Sequence, residues 1–93
     1  VERKFVAHDS RDNVGVAIKP ISAGEEVQGM YLDTREEITC EAKQPIRFGH
    51  KIALREIAVN EHVFRYGESI GVATKAISRG EHVHVHNVRS DRC

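Results

Sequence analysis

Apolar and polar residues alternate in short runs along this chain, and the clearest run is GEHVHVHN at residues 80–87. A period of two predicts an extended strand whose side chains divide between two faces. His82, His84 and His86 then share one face, with Val83 and Val85 on the buried side. Same-face neighbours on a strand stand roughly 6 to 7 Å apart, so adjacent imidazoles can share a metal, an anion or a set of protons.

The same pattern organises the rest of the chain. Residues 17–27 read AIKPISAGEEV, residues 53–63 read ALREIAVNEHV, and residues 73–83 read ATKAISRGEHV, three copies of A-x-x-x-I-x-x-[GN]-E-x-V. Each isoleucine opens a four-residue punctuation ending at Gly24, Asn60 or Gly80, residue types that tolerate positive φ. Each copy therefore predicts strand, tight turn, next strand. The copies are too irregularly spaced for a solenoid and read as similar corners of one compact β fold. Further strands are expected over residues 5–7 and 14–18, separated by a polar loop at residues 8–13. A hairpin is expected from residues 27–32 and 37–42, turning near Asp33, with Pro45 ending the pairing. Helix-like spacing over residues 52–59 is outweighed by the β-branched residues of the equivalent copies, leaving single 3-10 turns at the corners at most. The fold class is all-β, a single domain over residues 1–93.

Charge removes several functions. Lys plus Arg equal Asp plus Glu at 14 each, without a basic stripe, so nucleic acid and anionic membrane surfaces are not expected partners. No apolar run has the length of a membrane span, and the first residues lack a signal-peptide core. Cys40 and Cys93 have no metal-type spacing, so Cys40 is expected to be a small, partly buried apolar residue in a reducing cytoplasm. No nucleophile elbow, phosphate loop or dinucleotide glycine pattern is present.

Four landmarks stand in order: His8 with Asp12-Asn13-Val14, then GHKIAL at residues 49–54, then Tyr66-Gly67 with Ile70-Gly71, then GEHVHVHN. Together they resemble the SAF-type small domain of the altronate dehydratase family of sugar-acid lyases, over roughly residues 5–92. The resemblance implies a β-clip fold. It also implies a small subunit that completes a site with a large catalytic lyase subunit, eliminating sulfite or water from an anionic 2-hydroxy carboxylate such as (2R)-sulfolactate. The cofactor implied is a divalent metal, iron, held mainly in the large subunit. A fused altronate- or galactarate-type dehydratase module and a non-enzymatic ligand- or metal-binding SAF module are the alternatives, and a homo-oligomer is compatible with each.

Lone histidines on a strand face are ordinarily solvated decoration, but three followed by Asn87 point to chemistry or partner contact. His82 sits at a variable corner position, held by Glu26 and His62 in other copies, so His84 and His86 are the expected catalytic pair. The same two are the expected metal ligands, with His8 as a third if folding brings it close; two imidazoles alone fall short of the usual three protein ligands. His50, Lys51, Asn87 and Arg89 are the expected substrate-binding residues, with Lys51 a point positive charge for an anionic group. Arg92 is a further candidate anion clamp.

Overall fold

The computed structural model describes residues 2–90, so Arg92 and Cys93 lie outside the described residues. Nine strands follow in order: β1 (Arg3–Ala7), β2 (Val14–Ala17), β3 (Glu26–Tyr31), β4 (Glu37–Glu41), β5 (Lys51–Ala53), β6 (His62–Arg65), β7 (Glu68–Ala73), β8 (His82–Val83) and β9 (Val88–Arg89). They form a six-stranded sheet ordered β4-β3-β1-β2-β5-β8 and a three-stranded sheet ordered β6-β7-β9. The all-β expectation holds. Among the described residues no helix is long and apolar enough to cross a membrane.

The corners are the frame of this fold. Gly24, Asn60 and Gly80 all adopt positive φ, at 81°, 71° and 91°. A fourth residue, Gly49, does the same at 84°. It reveals a fourth copy that sequence reading missed, Ala42 with Ile46, Gly49 and Ile52, in which His50 stands where the others have glutamate. The four copies lock in two reciprocal pairs. In the first, Ile21 and Ile46 exchange backbone bonds of 2.9 Å each, while Gly24 donates to the Ala42 carbonyl and Gly49 to that of Ala17. In the second, Ile57 and Ile77 exchange bonds of 2.9 and 2.8 Å, Asn60 donates to Ala73, and Gly80 donates to Ala53. Each corner also closes with one i to i−3 bond, such as Glu81 N–H to the Ser78 carbonyl at 3.0 Å. With positive φ at the third position these are type II β-turns, not the expected 3-10 turns, because 3-10 geometry needs negative φ throughout.

Packing follows the same division. Ala17, Ile21 and Val27 with Ala42, Ile46 and Ile52 join Phe5, Ala7, Cys40 and Leu54 in one buried cluster. Ala53, Ile57 and Val63 with Ala73, Ile77 and Val83 join Val14 in a second. The alanines sit where backbones approach, and the isoleucines plug the space between reciprocal turns. Burial pushes the Cys40 thiol up, and its sulfur contributes to the core as a small apolar group.

Three of the four corners carry a glutamate that braces the turn. The side chains of Glu25, Glu61 and Glu81 accept from the backbone N–H groups of Ser22, Ala58 and Ser78 respectively. These are local side-chain-to-backbone bonds that fix a turn at little entropic cost. His50 spends its ring differently.

One pairing that no sequence feature announced is β1 beside β3, which is parallel. It is made by the chain turning through the first corner, so that β3 returns on the side of β1 opposite β2.

Two backbone substitutions test the corner geometry. Gly80→Val should be destabilised by at least about 3 kcal/mol, because positive φ strains a β-branched residue and its Cβ would strike the Glu41 carbonyl oxygen. Asn60→Gly should be neutral or stabilising by up to about 1 kcal/mol, since glycine enters that region without strain. Urea midpoints of the two variants against the parent measure both.

Candidate functional site

The histidine segment does not run as the expected strand. β8 ends at Val83, and residues 84–87 turn so that β9 can pair with β7. Asn87 causes this. It is buried at 2 % exposure, its Oδ1 accepts from the His84 N–H at 2.9 Å, and its Nδ2 donates to the His82 carbonyl at 2.9 Å. An asparagine that satisfies two backbone groups of its own segment competes successfully with a longer ladder. Val83 is buried as expected, but Val85 is 82 % exposed at the tip of the turn.

The imidazoles nevertheless meet. His50, brought to the seam by the fourth corner, has its Nδ1 2.8 Å from Nε2 of His82. Its ring stacks on those of His82 and His84, with centroids 5.0 and 4.2 Å apart. His86 leans against His82 at 5.1 Å and is exposed. His82 is held in place by its backbone N–H, which donates to Gln44 Oε1 at 2.9 Å. One nitrogen from each of His50, His82 and His84 lies within 4.8 Å of the others.

That spacing suits a single ion. Metal–imidazole bonds of about 2.0 to 2.1 Å put neighbouring ligand nitrogens roughly 3.0 to 3.4 Å apart. Small rotations of three half-buried rings would reach it. The electrostatics agree, because burial, then the neighbouring imidazoles and Lys51, hold His82 below the usual histidine range. His84 is lowered by burial, then by His50, Lys51 and His86. Both are therefore kept in the neutral form that ligates a metal or accepts a proton.

Beside the cluster, where the two sheets meet, a groove of about 320 Å³ is lined by Lys51, Arg65, Ile70, Val83, His84, Val85, Val88 and Ser90. Lys51 is half-buried, and burial and then Arg65 lower its pKa. His84 belongs to both the imidazole group and the groove.

The other expected residues separate. His8 stacks on Tyr66 with centroids 4.0 Å apart, beside a second constellation in which the carboxylate of Asp12 accepts from the Tyr66 and Gly67 N–H groups. It does not join the imidazole group. Asn87 shapes the turn, with both side-chain polar atoms engaged in it. Arg89 is exposed on β9, opposite Val72, and does not line the groove. Sequence reading gave His82 too little weight and missed Arg65. The signal for Arg65 was its parity with buried Val63 in β6, whose burial runs exposed, buried, exposed, intermediate.

The chain matches the altronate/galactarate dehydratase SAF domain family over residues 3–91. It belongs to that family. It is 42 % identical over 89 residues to the (2R)-sulfolactate sulfo-lyase subunit alpha of Chromohalobacter salexigens, covering 95 % of each chain. It is 37 % identical to altronate dehydratase of Bacillus subtilis, covering 96 % of this chain and 17 % of that enzyme. Galactarate dehydratase (L-threo-forming) of Escherichia coli is 38 % identical over 73 residues, 78 % of this chain and 12 % of the enzyme.

The depressed histidines set a pH dependence of stability. A lowered pKa in the folded state means that the unfolded chain takes up the proton first. The contribution is fully present above the ordinary imidazole pKa of about 6.5 and is lost as pH falls from there through the depressed values. Lowered carboxylates such as Asp9, at about 2 beside Arg11, lose their contribution only in more acid solution, below the ordinary carboxylate range. Melting temperature should fall between about pH 6.5 and 5, the interval below the ordinary imidazole value. The double variant His82→Ala/His84→Ala should flatten that interval in a pH series of thermal melts.

Proposed function

We propose that this chain is the small subunit of a lyase that releases sulfite from (2R)-sulfolactate, its imidazole group closing a site carried mainly by a large catalytic subunit. The observation that carries this reading is the 42 % identity spanning 95 % of both this chain and a sulfo-lyase alpha subunit. The groove favours it over dehydration of a sugar acid. Four of its lining residues are apolar, Ile70, Val83, Val85 and Val88, which suits a short sulfonate better than a polyol that needs a hydrogen-bond partner for each hydroxyl.

The elimination removes the proton on the hydroxyl-bearing carbon, next to the carboxylate, and its electron pair forms the carbon–carbon double bond. The C–S pair leaves with sulfite, and the enol becomes a 2-keto acid. Such a reaction needs a base, a partner for the enolate-like charge, and help for the leaving group. His84, neutral and shared between cluster and groove, is placed to accept or return a proton there. His50 and His82 orient and polarise it through stacking and the 2.8 Å contact between them. A divalent ion, iron in this reading, would polarise the carboxylate when bound. On this side His50, His82 and His84 are the residues fitted to reach it, and His86 stands at their exposed end. The buried thiol of Cys40 fits a cytoplasmic enzyme.

The chain alone should be folded and silent, and sulfite release from sulfolactate should appear when the large subunit is added. His84→Ala should lower the rate of the assembled enzyme by about 10² or more, the scale of a lost acid–base group. His86→Ala should lower it less, its ring being exposed. Both should melt within a few degrees of the parent. Turnover by the small chain alone, or normal turnover by His84→Ala, would overturn the reading.

A further inference from the structure

We infer that Arg65 and Lys51 form a seat for a sulfonate or sulfite oxyanion within this chain, and that Arg65 is the residue that selects a sulfonated substrate. Arg65 ends β6 on one sheet and Lys51 begins β5 on the other, so the two cations meet across the seam and line one groove. Neither belongs to any described ion pair, all of which lie elsewhere, at Arg3–Glu37, Lys4–Glu25, Arg11–Asp9 and Lys19–Glu2. Glu68, opposite Arg65 on β7, is exposed and forms no described ion pair with it. Arg65 also leaves its Nε buried with no hydrogen-bond partner among the described residues, a costly state for a guanidinium donor.

A fold does not ordinarily retain two facing cations and an unsatisfied buried donor without a compensating anion. An oxyanion supplies all that is missing. The guanidinium offers a planar fork to two oxygens, and the ammonium offers a point charge to a third. The guanidinium lies over the Tyr66 ring, whose centre is 5.1 Å from the Arg65 Cζ. Ile70, Val83 and Val88 offer an apolar wall to the methylene next to the sulfonate, and His84 stands at the same groove. A sulfonate held by Arg65 and Lys51 therefore sets the C–S bond beside an imidazole that can pass to the departing sulfite the proton it takes from the hydroxyl-bearing carbon.

The identity of the oxyanion rests on the lyase reading; its binding does not. The test is an NMR and calorimetric titration of the chain with sulfolactate, and with lactate, at constant ionic strength. Saturable binding of sulfolactate should shift the amides of Lys51, Arg65, Val83 and Val88, and lactate should bind at least about tenfold more weakly, a loss of about 1.4 kcal/mol. Arg65→Gln and Lys51→Met should each raise the sulfolactate Kd at least tenfold, and Lys75→Gln should leave it unchanged. The seat is overturned if the parent shows no saturable shift, or if Arg65→Gln and Lys51→Met bind as the parent does. Binding without sulfite release by the assembled enzyme would defeat the lyase reading alone. Sulfite release with an unchanged KM in Arg65→Gln would defeat the seat alone.

Discussion

The reciprocal locking of corners is the constraint on which everything else in this molecule depends. A corner residue at positive φ turns its N–H toward the alanine that opens the partner corner, and the partner does the same in return. Neither turn of a pair is satisfied without the other. Because the exchanged bonds flank an isoleucine plug on each side, hydrogen bonding and apolar burial specify the same register. Small residues are required at both ends of the motif, which explains why alanine and glycine recur at spacings that neither helix nor plain hairpin would need.

The site exploits a departure from that repeated rule. Three corners spend a glutamate on bracing their own turn, whereas the fourth places His50 there, freeing a ring to meet His82 and His84. The two corner pairs are stitched where this happens. Lys43 N–H donates to the Gly80 carbonyl at 2.8 Å, and Gln44 holds the His82 N–H. His50 and His82 thus sit at a hydrogen-bonded junction of the two corner pairs, which holds their rings in place.

Much of the fold was legible because its signals are local. Gly24, Asn60 and Gly80 advertise positive φ by residue type, and alternation marks β3, β4 and β7. The fourth corner stayed hidden because His50 and Ile52 replace the expected Glu and Val, although its Pro45 matches Pro20 of the first copy. Alternation also misled at residues 80–87. His82 and Val83 keep the strand, but Asn87 reaches back to the backbone at two points, and local polar bonds outweigh an extended continuation. The gathering of His82 and His84 survived the error, since a tight turn collects neighbours as well as a strand face does. His50 was recognised from its setting, but its contact with His82 spans 32 residues and depends on sheet order, which no local pattern encodes. The parallel pairing of β1 with β3 was out of reach for the same reason.

The central claim is that a residue removed from structural duty at the fourth corner serves the chemistry of an assembled lyase. His50→Glu separates the two roles, because it returns to that corner the glutamate that braces the other three. Sulfite release should be measured with the variant chain and the large subunit, alongside its melting temperature. The account predicts a variant as stable as the parent or more so, with turnover reduced about a hundredfold, the scale of a lost imidazole contribution. A stable His50→Glu chain that supports normal sulfite release would contradict it.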